Sequence, residues 1–276
     1  MKSKLKAFLK IILKFYFRII SINHNKNLIG EFLKINNKHY QVVKIQDNKL
    51  LKFYCINKMT KYRIDTFFSK ESDTISWIKS FKTNTVFWDI GANIGLYSVY
   101  ASRIANCQTY AFEPSVYNLE LLTKNIFLNQ LESKISLIPM PLSENTKIDY
   151  FYMNNPDYSS ALSSFSYDYD QDGNKFNSNF KYKVIGISAS DLIDKFNIKL
   201  PNYIKIDVDG AEHLILKGFD ENIFSSVSEV LIEINEKLKP QMNLIHNIMS
   251  KNNFSLRSSY YFSDNTQFNG IWKKND

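Results

Sequence analysis

The sequence predicts an α/β fold, with a doubly wound, mostly parallel sheet that is covered by helices and closed by an antiparallel strand. From residue 86 onward, short apolar runs alternate with segments of helical periodicity, as in β-α-β units. In the first unit, an apolar run at residues 86–88 ends on an acid, and a Gly-Ala-Asn-Ile-Gly turn then opens a helix. This combination is typical of nucleotide-binding sheets.

The other elements follow in chain order. Core strands are predicted at residues 109–112, 135–138, 202–208 and 229–234, and helices at 119–131, 188–196, 211–218 and 238–252, the last of them interrupted at Pro240. Two β-type runs, 148–153 and 180–187, bracket a polar loop at 154–179 that is long enough to be functional. Runs at 255–262 and 267–273 predict the terminal antiparallel pair.

A chain of 276 residues can hold one domain of roughly 190 to 200 residues preceded by an extension. We place the boundary between residues 1–84 and residues 85–276. In the extension, runs at 39–45 and 50–56 predict a β-hairpin, and residues 65–81 predict a helix that leads into the sheet, with Ser72 and Asp73 as a possible start.

The uneven charge of the chain limits its classes of partner. Residues 1–84 contain 18 Lys and Arg against 5 Asp and Glu, whereas residues 85–276 contain 17 against 22. A nucleic-acid enzyme usually has its basic surface around the catalytic cleft, so we expect no nucleic-acid partner. The basic surplus favours attachment of the N-terminus to a surface.

Residues 4–20 predict a helix with a basic stripe, because Lys6, Lys10, Lys14 and Arg18 recur every four residues beside a broad aliphatic and aromatic face. This pattern is typical of a helix in the interface of an anionic membrane. The alternative is a helix that packs on its own domain, or on a second copy of the chain in a homo-oligomer.

The two cysteines, Cys55 and Cys107, lie in apolar contexts without metal-type spacing, and the sequence has no run of ~18 uncharged apolar residues. We therefore expect a reduced, cytoplasmic protein without a membrane-spanning helix. If the N-terminal helix binds lipid, the protein is peripheral at the inner face of the membrane.

The glycine turn after the first strand suits a ligand with an ammonium group. Gly91 and Gly95 allow a tight bend, but neither G-x-G-x-x-G nor the Gly-Lys-Ser/Thr of a P-loop can be laid over the turn. The acid at the strand end, Asp89, disfavours a pyrophosphate, which binds to helix N–H groups away from carboxylates. S-adenosylmethionine, with its amino-acid tail and sulfonium, fits this description.

A second acid favours the same ligand. Glu113, followed by Pro114, ends the next strand 18 residues after Gly95. In nucleotide-binding α/β folds, an acid at this place accepts hydrogen bonds from the ribose hydroxyls. Each acid alone could be a turn residue or a solvated strand end, but the ordered set predicts a site for S-adenosylmethionine.

The end of the fourth core strand carries candidate reactive groups. Lys205, Asp207 and Asp209 share one face of this strand, and Glu212 follows it. Methyl transfer requires an aligned acceptor oxygen and removal of its proton. Asp209 or Glu212 could take that proton while Lys205 holds the substrate or the carboxylates. The alternative is an ion-pair network that shapes the turn, and His213 is more simply a solvated helix residue.

Two further patterns carry alternatives. Asp207, Asp209 and Glu233 could bind Mg²⁺ together with the substrate hydroxyl, because all-oxygen ligands suit this ion, although nothing in their spacing requires a metal. Residues 155–158 (Asn-Pro-Asp-Tyr) are similar to the Asn-Pro-Pro-Tyr element of amino-methyltransferases. They follow a different strand and differ at the third residue, which disfavours methylation of a nucleobase.

Taken in order, these motifs resemble the FkbM family of S-adenosylmethionine-dependent methyltransferases over about residues 86–234. The matching segments are Asp-Ile-Gly-Ala-Asn-Ile-Gly-Leu-Tyr-Ser at 89–98, Phe-Glu-Pro at 112–114, Lys-Ile-Asp-Val-Asp-Gly-Ala-Glu at 205–212, Leu-Lys-Gly at 216–218, and Glu233. The family usually has Glu where Asp209 stands, so a base there would reach one methylene less far.

The resemblance implies a Rossmann-like class I methyltransferase sheet. The donor would be held by Asp89, Gly91, Ala92, Asn93, Gly95, Glu113 and Pro114, and the acceptor would lie at Lys205, Asp207, Asp209 and Glu212. Family members often accompany surface-polysaccharide synthesis, which implies O-methylation of a sugar or surface-glycan hydroxyl. The alternatives are an RNA methyltransferase, which the acidic catalytic half opposes, and a non-catalytic scaffold at the membrane surface.

Overall fold

The structure is a computed structural model that describes residues 8–12, 14–16, 18, 39–169, 175, 180–262 and 266–275. The strands are β1 (Tyr40–Lys44), β2 (Leu50–Tyr54), β3 (Val86–Ile90), β4 (Gln108–Phe112), β5 (Ile135–Ile138), β6 (Lys147–Met153), β7 (Ser163–Phe165), β8 (Lys181–Gly186), β9 (Tyr203–Ile206), β10 (Glu229–Asn235), β11 (Phe254–Tyr261) and β12 (Gln267–Lys274). The helices are α1 (Lys58–Asp65), α2 (Ser72–Lys79), α3 (Leu96–Ile104), α4 (Val116–Leu128), α5 (Ala189–Phe196), α6 (Glu212–Lys217), α7 (Glu221–Ser226) and α8 (Lys239–Lys251).

Within the described residues, the central sheet has seven strands in the order β11-β12-β10-β9-β3-β4-β5. The strands from β10 to β5 are parallel, and β12 and β11 run antiparallel at the other end. The chain runs outward from β3 to β5 and then returns to place β9 beside β3. This reversal leaves a crevice at the carboxyl ends of β3 and β9, where open α/β sheets bind ligands. The predicted doubly wound sheet with an antiparallel end is confirmed.

Both faces of the central strands are buried, which is why these strands read as continuous apolar runs. Neighbouring side chains on a strand point to opposite faces. Phe87 accordingly packs in the hydrophobic layer that contains Tyr100 and Leu121. Trp88 packs in the other layer, which contains Ile204 and Trp272.

The part of the chain before β3 packs directly on this sheet. Leu51 and Phe53 of β2 belong to the same hydrophobic layer as Phe87. The ring of Phe81 stacks on that of Tyr203, with the centroids 3.8 Å apart. The predicted hairpin of β1 and β2 is confirmed, whereas the domain boundary after residue 84 stays a prediction.

Helix α4 holds the edge of this hairpin through two asparagines. Asn129 Oδ1 accepts a hydrogen bond from Lys52 N at 2.9 Å, and Asn129 Nδ2 donates to Lys52 O at 2.7 Å. Asn125 Oδ1 accepts from Tyr54 N at 2.8 Å. Residues four apart on a helix are about as far apart as residues two apart on a strand, so the two side chains match the backbone spacing of β2.

The predicted lead-in helix at residues 65–81 is shorter than its outer bounds and begins at the possible start that the sequence offers, Ser72. Residues 66–71 form a turn. Helix α1 was not predicted, and it begins after Asn57, whose side chain accepts from Thr60 N while the Thr60 hydroxyl accepts from Asn57 N. Only α2 precedes the sheet directly.

Two other differences concern the C-terminal half. Pro240 does not interrupt α8, because it lies in the first turn, where a backbone N–H would have no helical partner. Strands β6 and β8 do not extend the core sheet. They form a separate three-stranded antiparallel sheet with β7, in the order β7-β6-β8.

At the N-terminus, residues 8–12, 14–16 and 18 have helical backbone, in agreement with the predicted helix. The other residues of the predicted segment 4–20 lie outside the described residues. Exposed side chains here include large apolar ones, with exposed fractions from 47% to 66%, at Phe8, Leu9, Ile11, Ile12, Phe15 and Tyr16. Among the residues that the structure describes, we find no helix with the length and apolar character needed to cross a bilayer.

Candidate active site

The carboxyl ends of β3 and β9 meet at Gly91. Gly91 N donates to Phe112 O at 3.0 Å, and Asp207 N donates to Ile90 O at 3.1 Å. Gly91 has a φ of +84°, and a Cβ atom there would lie 1.9 Å from Asp207 O. Only glycine combines this backbone conformation with so close an approach, so Gly91 allows the two strand ends to join.

Gly95, the second predicted glycine, has a φ of +82° immediately before α3. A Cβ atom there would lie 2.2 Å from Leu122 Cδ1 of α4. The space that this glycine leaves is therefore filled by the neighbouring helix. Gly95 shapes the loop and lets α4 pack against it.

Glu113 is buried beside the glycine loop with both of its oxygens oriented. Oε2 accepts from Asn93 N and Oε1 from Ser115 N, each at 2.8 Å. Burial raises the pKa of Glu113 to about 7, although these hydrogen bonds lower it. Each carboxylate oxygen can accept more than one hydrogen bond, so the group keeps capacity for a ligand.

A cavity of about 90 Å³, which we call the donor slot, lies next to Glu113. The residues around it that the sequence predicts for the site are Gly91, Asn93, Glu113, Pro114, Asp207 and Asp209. Its apolar wall includes Phe112, Met140, Leu142, Phe151, Phe165 and Ile215. The structure thus brings six of the predicted site residues around one cavity, and Ala92 and Lys205 line an adjoining one.

Asp89 lies under the loop and is fully buried. Its Oδ2 accepts from the Ser98 hydroxyl at 2.5 Å, whereas its buried Oδ1 has no hydrogen-bond partner within the described structure. Burial raises the pKa of Asp89, and the charge of Lys205 partly offsets this effect. An unpaired buried carboxylate oxygen is costly, and Asp89 does not line the donor slot or the adjoining cavity, so this side chain supports the glycine loop from below.

Lys205 is the cation at the centre of the site. Its exposed fraction is 1%, and its Nζ donates to Asp207 Oδ2 at 2.6 Å. The ammonium group also lies 5.1 Å from the centre of the Tyr97 ring. Burial lowers the pKa of Lys205, but the carboxylates of Asp207, Glu71 and Asp89 raise it well above its usual value. Lys205 is therefore charged and forms a buried ion pair.

Glu233 is hydrogen-bonded to the carboxylate of this pair. Burial raises the pKa of Asp207, but Lys205 and a hydrogen bond with Glu233 hold it well below its usual range. Burial and the nearby Asp207 carboxylate raise the pKa of Glu233 well above its usual value. Asp207 is thus ionised at neutral pH, and Glu233 holds its proton to a higher pH than an ordinary glutamate.

Asp209 has a left-handed backbone, with a φ of +58°. Its Oδ2 accepts from Leu162 N at 2.7 Å and from Ser163 N at 3.4 Å. Burial and the Asp207 charge raise the pKa of Asp209 to about 6, whereas these hydrogen bonds and Arg63 lower it. Part of this carboxylate therefore holds a loop, and its predicted role as a base stays a prediction.

Glu212 mainly shapes its own turn. Its Oε1 accepts from Val208 N and Gly210 N, each at 3.1 Å. Burial raises the pKa of Glu212 to about 7. The predicted solvation of the adjacent His213 is wrong, because this side chain is buried at the start of α6 and burial lowers its pKa to about 4.

Residues 157–163, which we call the strap, cross over the site. Ser160 O accepts from Asn93 Nδ2 at 3.0 Å and from Asn118 Nδ2 at 3.2 Å. Asn118 Oδ1 accepts from Ser159 N at 2.9 Å. The strap belongs to the predicted 154–179 loop, and its residues Ser160, Ala161 and Ser163 line the donor slot. Residues 170–174 and 176–179 lie outside the described residues.

The strap also contacts the N-terminal part of the chain. Asn57 Nδ2 donates to Tyr158 O at 3.0 Å, and Arg63 Nε donates to Ser159 O at 3.3 Å. Tyr158 donates its hydroxyl proton to Glu120 at 2.9 Å on an exposed part of α4. The Asn-Pro-Asp-Tyr segment that contains it therefore serves the strap.

A larger cavity of about 400 Å³, which we call the acceptor cavity, adjoins the donor slot. The two share Gly91, Asn93, Ala161, Asp207 and Asp209. The acceptor cavity is also lined by Glu233 and by residues that sequence reasoning missed, namely Arg63, Lys70, Glu71, Phe262 and Gln267. No local pattern marks these residues, because they reach the site from distant parts of the chain.

The alternative of a Mg²⁺ site at Asp207, Asp209 and Glu233 is not supported. Within the described ranges, no group of three or more His, Cys, Asp or Glu side chains has the arrangement of a metal site. Asp207 is bound to Lys205 and Glu233, and Asp209 is bound to the strap. These carboxylates are therefore directed to other partners.

These features define a ligand-binding α/β protein with paired cavities at the switch point of its sheet. Residues 89–256 match the family model described as the methyltransferase FkbM domain, so the chain belongs to the FkbM methyltransferase family. This match confirms the family that the sequence motifs resemble.

Two characterised relatives are methyltransferases. Hexuronic acid methyltransferase AglP of Haloferax volcanii is 28% identical over 168 residues, which are 56% of this chain and 58% of AglP. The match thus spans little more than half of AglP. Methyltransferase sdnD of Sordaria araneosa is 26% identical over 221 residues, which are 71% of this chain and 83% of sdnD.

Among solved structures, methyltransferase FkbM of Methylobacillus flagellatus KT matches with a TM-score of 0.48 and 17% identity. The match covers 70% of this chain and 44% of that one. The similarity is too distant to bear on function.

Proposed function

We propose that the chain transfers a methyl group from S-adenosylmethionine to a hydroxyl of a sugar or surface-glycan precursor. The observation that carries the proposal is the donor slot, in which apolar side chains and the oriented carboxylate of Glu113 line one cavity at the switch point of the sheet. Family membership supports the reaction class, and the name of the archaeal relative AglP supports a sugar acceptor.

The apolar half of the slot fits the base of the donor. Met140, Leu142 and Phe151 offer a surface on which a planar adenine can be buried. Glu113, held by two backbone N–H groups, is placed to accept from ribose hydroxyls. When bound, S-adenosylmethionine supplies an electrophilic methyl group on a positively charged sulfur.

The acidic half of the site fits the amino-acid end of the donor. Asp207 is ionised and lines the donor slot. An ammonium group in the slot would bind to this carboxylate and join its ion pair with Lys205, while the fully buried Asp89 supports the loop from below. Lys205 keeps Asp207 ionised, so its role here is to position a carboxylate.

On the acceptor side, Asp209 is the carboxylate best placed to take a proton. It lines both the donor slot and the acceptor cavity. Both hydrogen bonds from the strap go to Oδ2, which leaves Oδ1 for the hydroxyl of the acceptor. With a pKa of about 6 the group is largely ionised at neutral pH and can accept the hydroxyl proton as the oxygen becomes nucleophilic.

Calorimetric titration with S-adenosylmethionine and its demethylated product tests the donor site. We expect micromolar binding by the intact protein and at least a tenfold loss in Glu113→Ala, because a charge-assisted acceptor is removed. Asp194→Ala, at an exposed position on α5, is the matched control and should bind normally. If the intact protein binds neither compound, the proposal is wrong and a non-catalytic scaffold takes its place.

A further inference from the structure

We propose that Arg63 and Lys70 form an anion subsite in the acceptor cavity and that the acceptor is a sugar bearing a carboxylate beside the hydroxyl that is methylated. This inference rests on the proposed function and adds the charge of its substrate. Both residues precede the segment that matches the family model, so family membership does not assign them.

The two cations come from one short stretch of chain. Arg63 lies in the last turn of α1, and Lys70 lies in the turn that follows it. Both line the acceptor cavity together with Asp207, Asp209 and Glu233. The break between α1 and α2 therefore directs two positive side chains toward a group of acids.

The neighbouring acids occupy only part of the hydrogen-bonding capacity of the two cations. Asp207 is paired with Lys205, whose Nζ lies 2.6 Å away, and burial and Asp207 raise the pKa of Glu233 well above its usual value. Glu71 forms an ion pair with Lys70, with 3.5 Å between Nζ and the nearer carboxylate oxygen. An added carboxylate would therefore bind through donors of Arg63 and Lys70 that Glu71 and Asp209 leave unused.

Each cation also has donors left over. Within the described structure, the hydrogen bond of Arg63 uses only Nε, which donates to Ser159 O at 3.3 Å, so its terminal nitrogens keep the fork that binds a carboxylate in a bidentate way. Lys70 lies over the Phe262 ring at 5.8 Å, and its side chain is 49% exposed. A side chain held over a ring and open to the cavity can turn to an anion at little cost.

The position of Lys70 favours the acceptor over the donor as the source of the carboxylate. Phe262 follows β11 and Gln267 begins β12, so this end of the acceptor cavity lies toward the antiparallel edge of the sheet. Glu113 and the apolar wall of the donor slot lie toward β4 and β5, on the other side of β3. The methionyl carboxylate of the donor is the competing source, because Arg63 and Lys70 also line the smaller cavity beside the glycine loop, and the experiment separates the two.

The test compares p-nitrophenyl β-D-glucuronide with p-nitrophenyl β-D-glucoside, which differ only in carboxylate against hydroxymethyl. With wild-type protein and saturating S-adenosylmethionine, we expect a lower KM for the glucuronide. The KM for the glucuronide should rise about tenfold in Arg63→Gln and about tenfold in Lys70→Gln, because each variant loses a charge-assisted hydrogen bond. Arg63 also holds the strap and lowers the pKa of Asp209, so its loss can affect both glycosides, and the readout is the ratio of the KM for the glucoside to the KM for the glucuronide, which should fall toward one. Lys61→Gln, an exposed lysine paired with Asp65 on α1, is the control.

Calorimetric titration of the same variants with S-adenosylmethionine decides the source. Wild-type affinity for the donor, together with the KM change, supports the subsite. A tenfold loss of donor affinity assigns the cations to the methionyl carboxylate and overturns the proposal, as would equal KM values for the two glycosides. A base-labile methyl ester as product would overturn it too, because the anchoring carboxylate would be consumed. Failure of wild-type protein to bind the donor would instead overturn the proposed function itself.

Discussion

Glu113, Asp209 and Glu212 are three buried carboxylates whose pKa values are raised toward neutrality, to about 7, about 6 and about 7. In each of them burial is the largest cause. Two accept backbone hydrogen bonds from their own loops, and Asp209 accepts them from the strap. Such groups give the site carboxylates that change charge in the physiological range, at a cost to the stability of the folded chain.

The loss of folding stability that a raised carboxyl pKa causes can be measured at Glu212. A carboxyl group whose pKa is higher in the folded state than in the unfolded state holds its proton longer when folded, so stability falls as pH rises from the unfolded pKa to the folded one. For Glu212 this window runs from 4.5 to about 7. Glu212→Gln keeps an acceptor oxygen for Val208 N and Gly210 N but cannot ionise.

We therefore expect Glu212→Gln to gain stability relative to wild type across this window. At about 1.4 kcal/mol per unit of pKa, the gain in unfolding free energy is roughly 2–3 kcal/mol between pH 4.5 and pH 8. Urea unfolding at a series of pH values measures it. Glu221→Gln, at an exposed position on α7, serves as the control and should follow the wild-type curve. Parallel curves for wild type and Glu212→Gln would show that burial does not raise this pKa.

Among the secondary-structure elements, the contact of α4 with β2 fixes the N-terminal hairpin on the sheet. The Asn129 side chain both accepts from Lys52 N and donates to Lys52 O, and it is buried. Asn125 also donates to Ile94 O at 2.8 Å, next to the glycine loop. The hairpin and the donor loop thus share one helix as their support.

Asn129→Ala should loosen the hairpin. The substitution leaves two polar groups of Lys52 without partners, at a cost of about 1–3 kcal/mol for each group that stays buried. Urea unfolding should show a loss in this range, and hydrogen exchange should show faster exchange at the Lys52 amide. Asn243→Ala, at an exposed position on α8, controls for the loss of an asparagine from a helix. Unchanged protection at Lys52 would mean that β1 alone holds this strand.

Sequence reasoning succeeded for elements whose signal is local. The strands β3, β4, β5 and β10 were predicted within one or two residues at each end, because an apolar run bounded by turns marks a buried strand wherever it occurs. The donor-slot residues from Gly91 to Pro114 belong to one β-α-β unit. Their spacing in the sequence was therefore enough to predict that they line one site.

The rest of the site depends on contacts that spacing does not encode. Asn57 and Arg63 reach the strap across 101 and 96 positions of sequence. The strap has left-handed backbone at Ser159 and Leu162, residues whose side chains give no sign of it. Asn118 and Asn125 are polar side chains on a helix that packs in the core. Because buried amides require partners, they were the signal that could have predicted contacts of this helix with other segments.

At the scale of the whole molecule, the N-terminal helix presents exposed apolar side chains. The described apolar side chains there, such as Phe8, Ile11 and Phe15, are more than half exposed. This exposure disfavours packing on the helix's own domain and leaves an anionic membrane or a second copy of the chain. The strong basic surplus of residues 1–84 favours the membrane, since a second copy carries the same charge.

We therefore propose that the helix attaches the enzyme to anionic membranes, where a lipid-linked acceptor would be available. Removal of residues 1–20 should abolish co-sedimentation with vesicles of phosphatidylglycerol and phosphatidylcholine, and the affinity for S-adenosylmethionine should stay unchanged. Binding of the full chain should weaken as salt rises and vanish on vesicles of phosphatidylcholine alone, because the attraction is electrostatic. Vesicle binding that survives the deletion would contradict the proposal, as would a full chain that forms a dimer which the deletion dissolves.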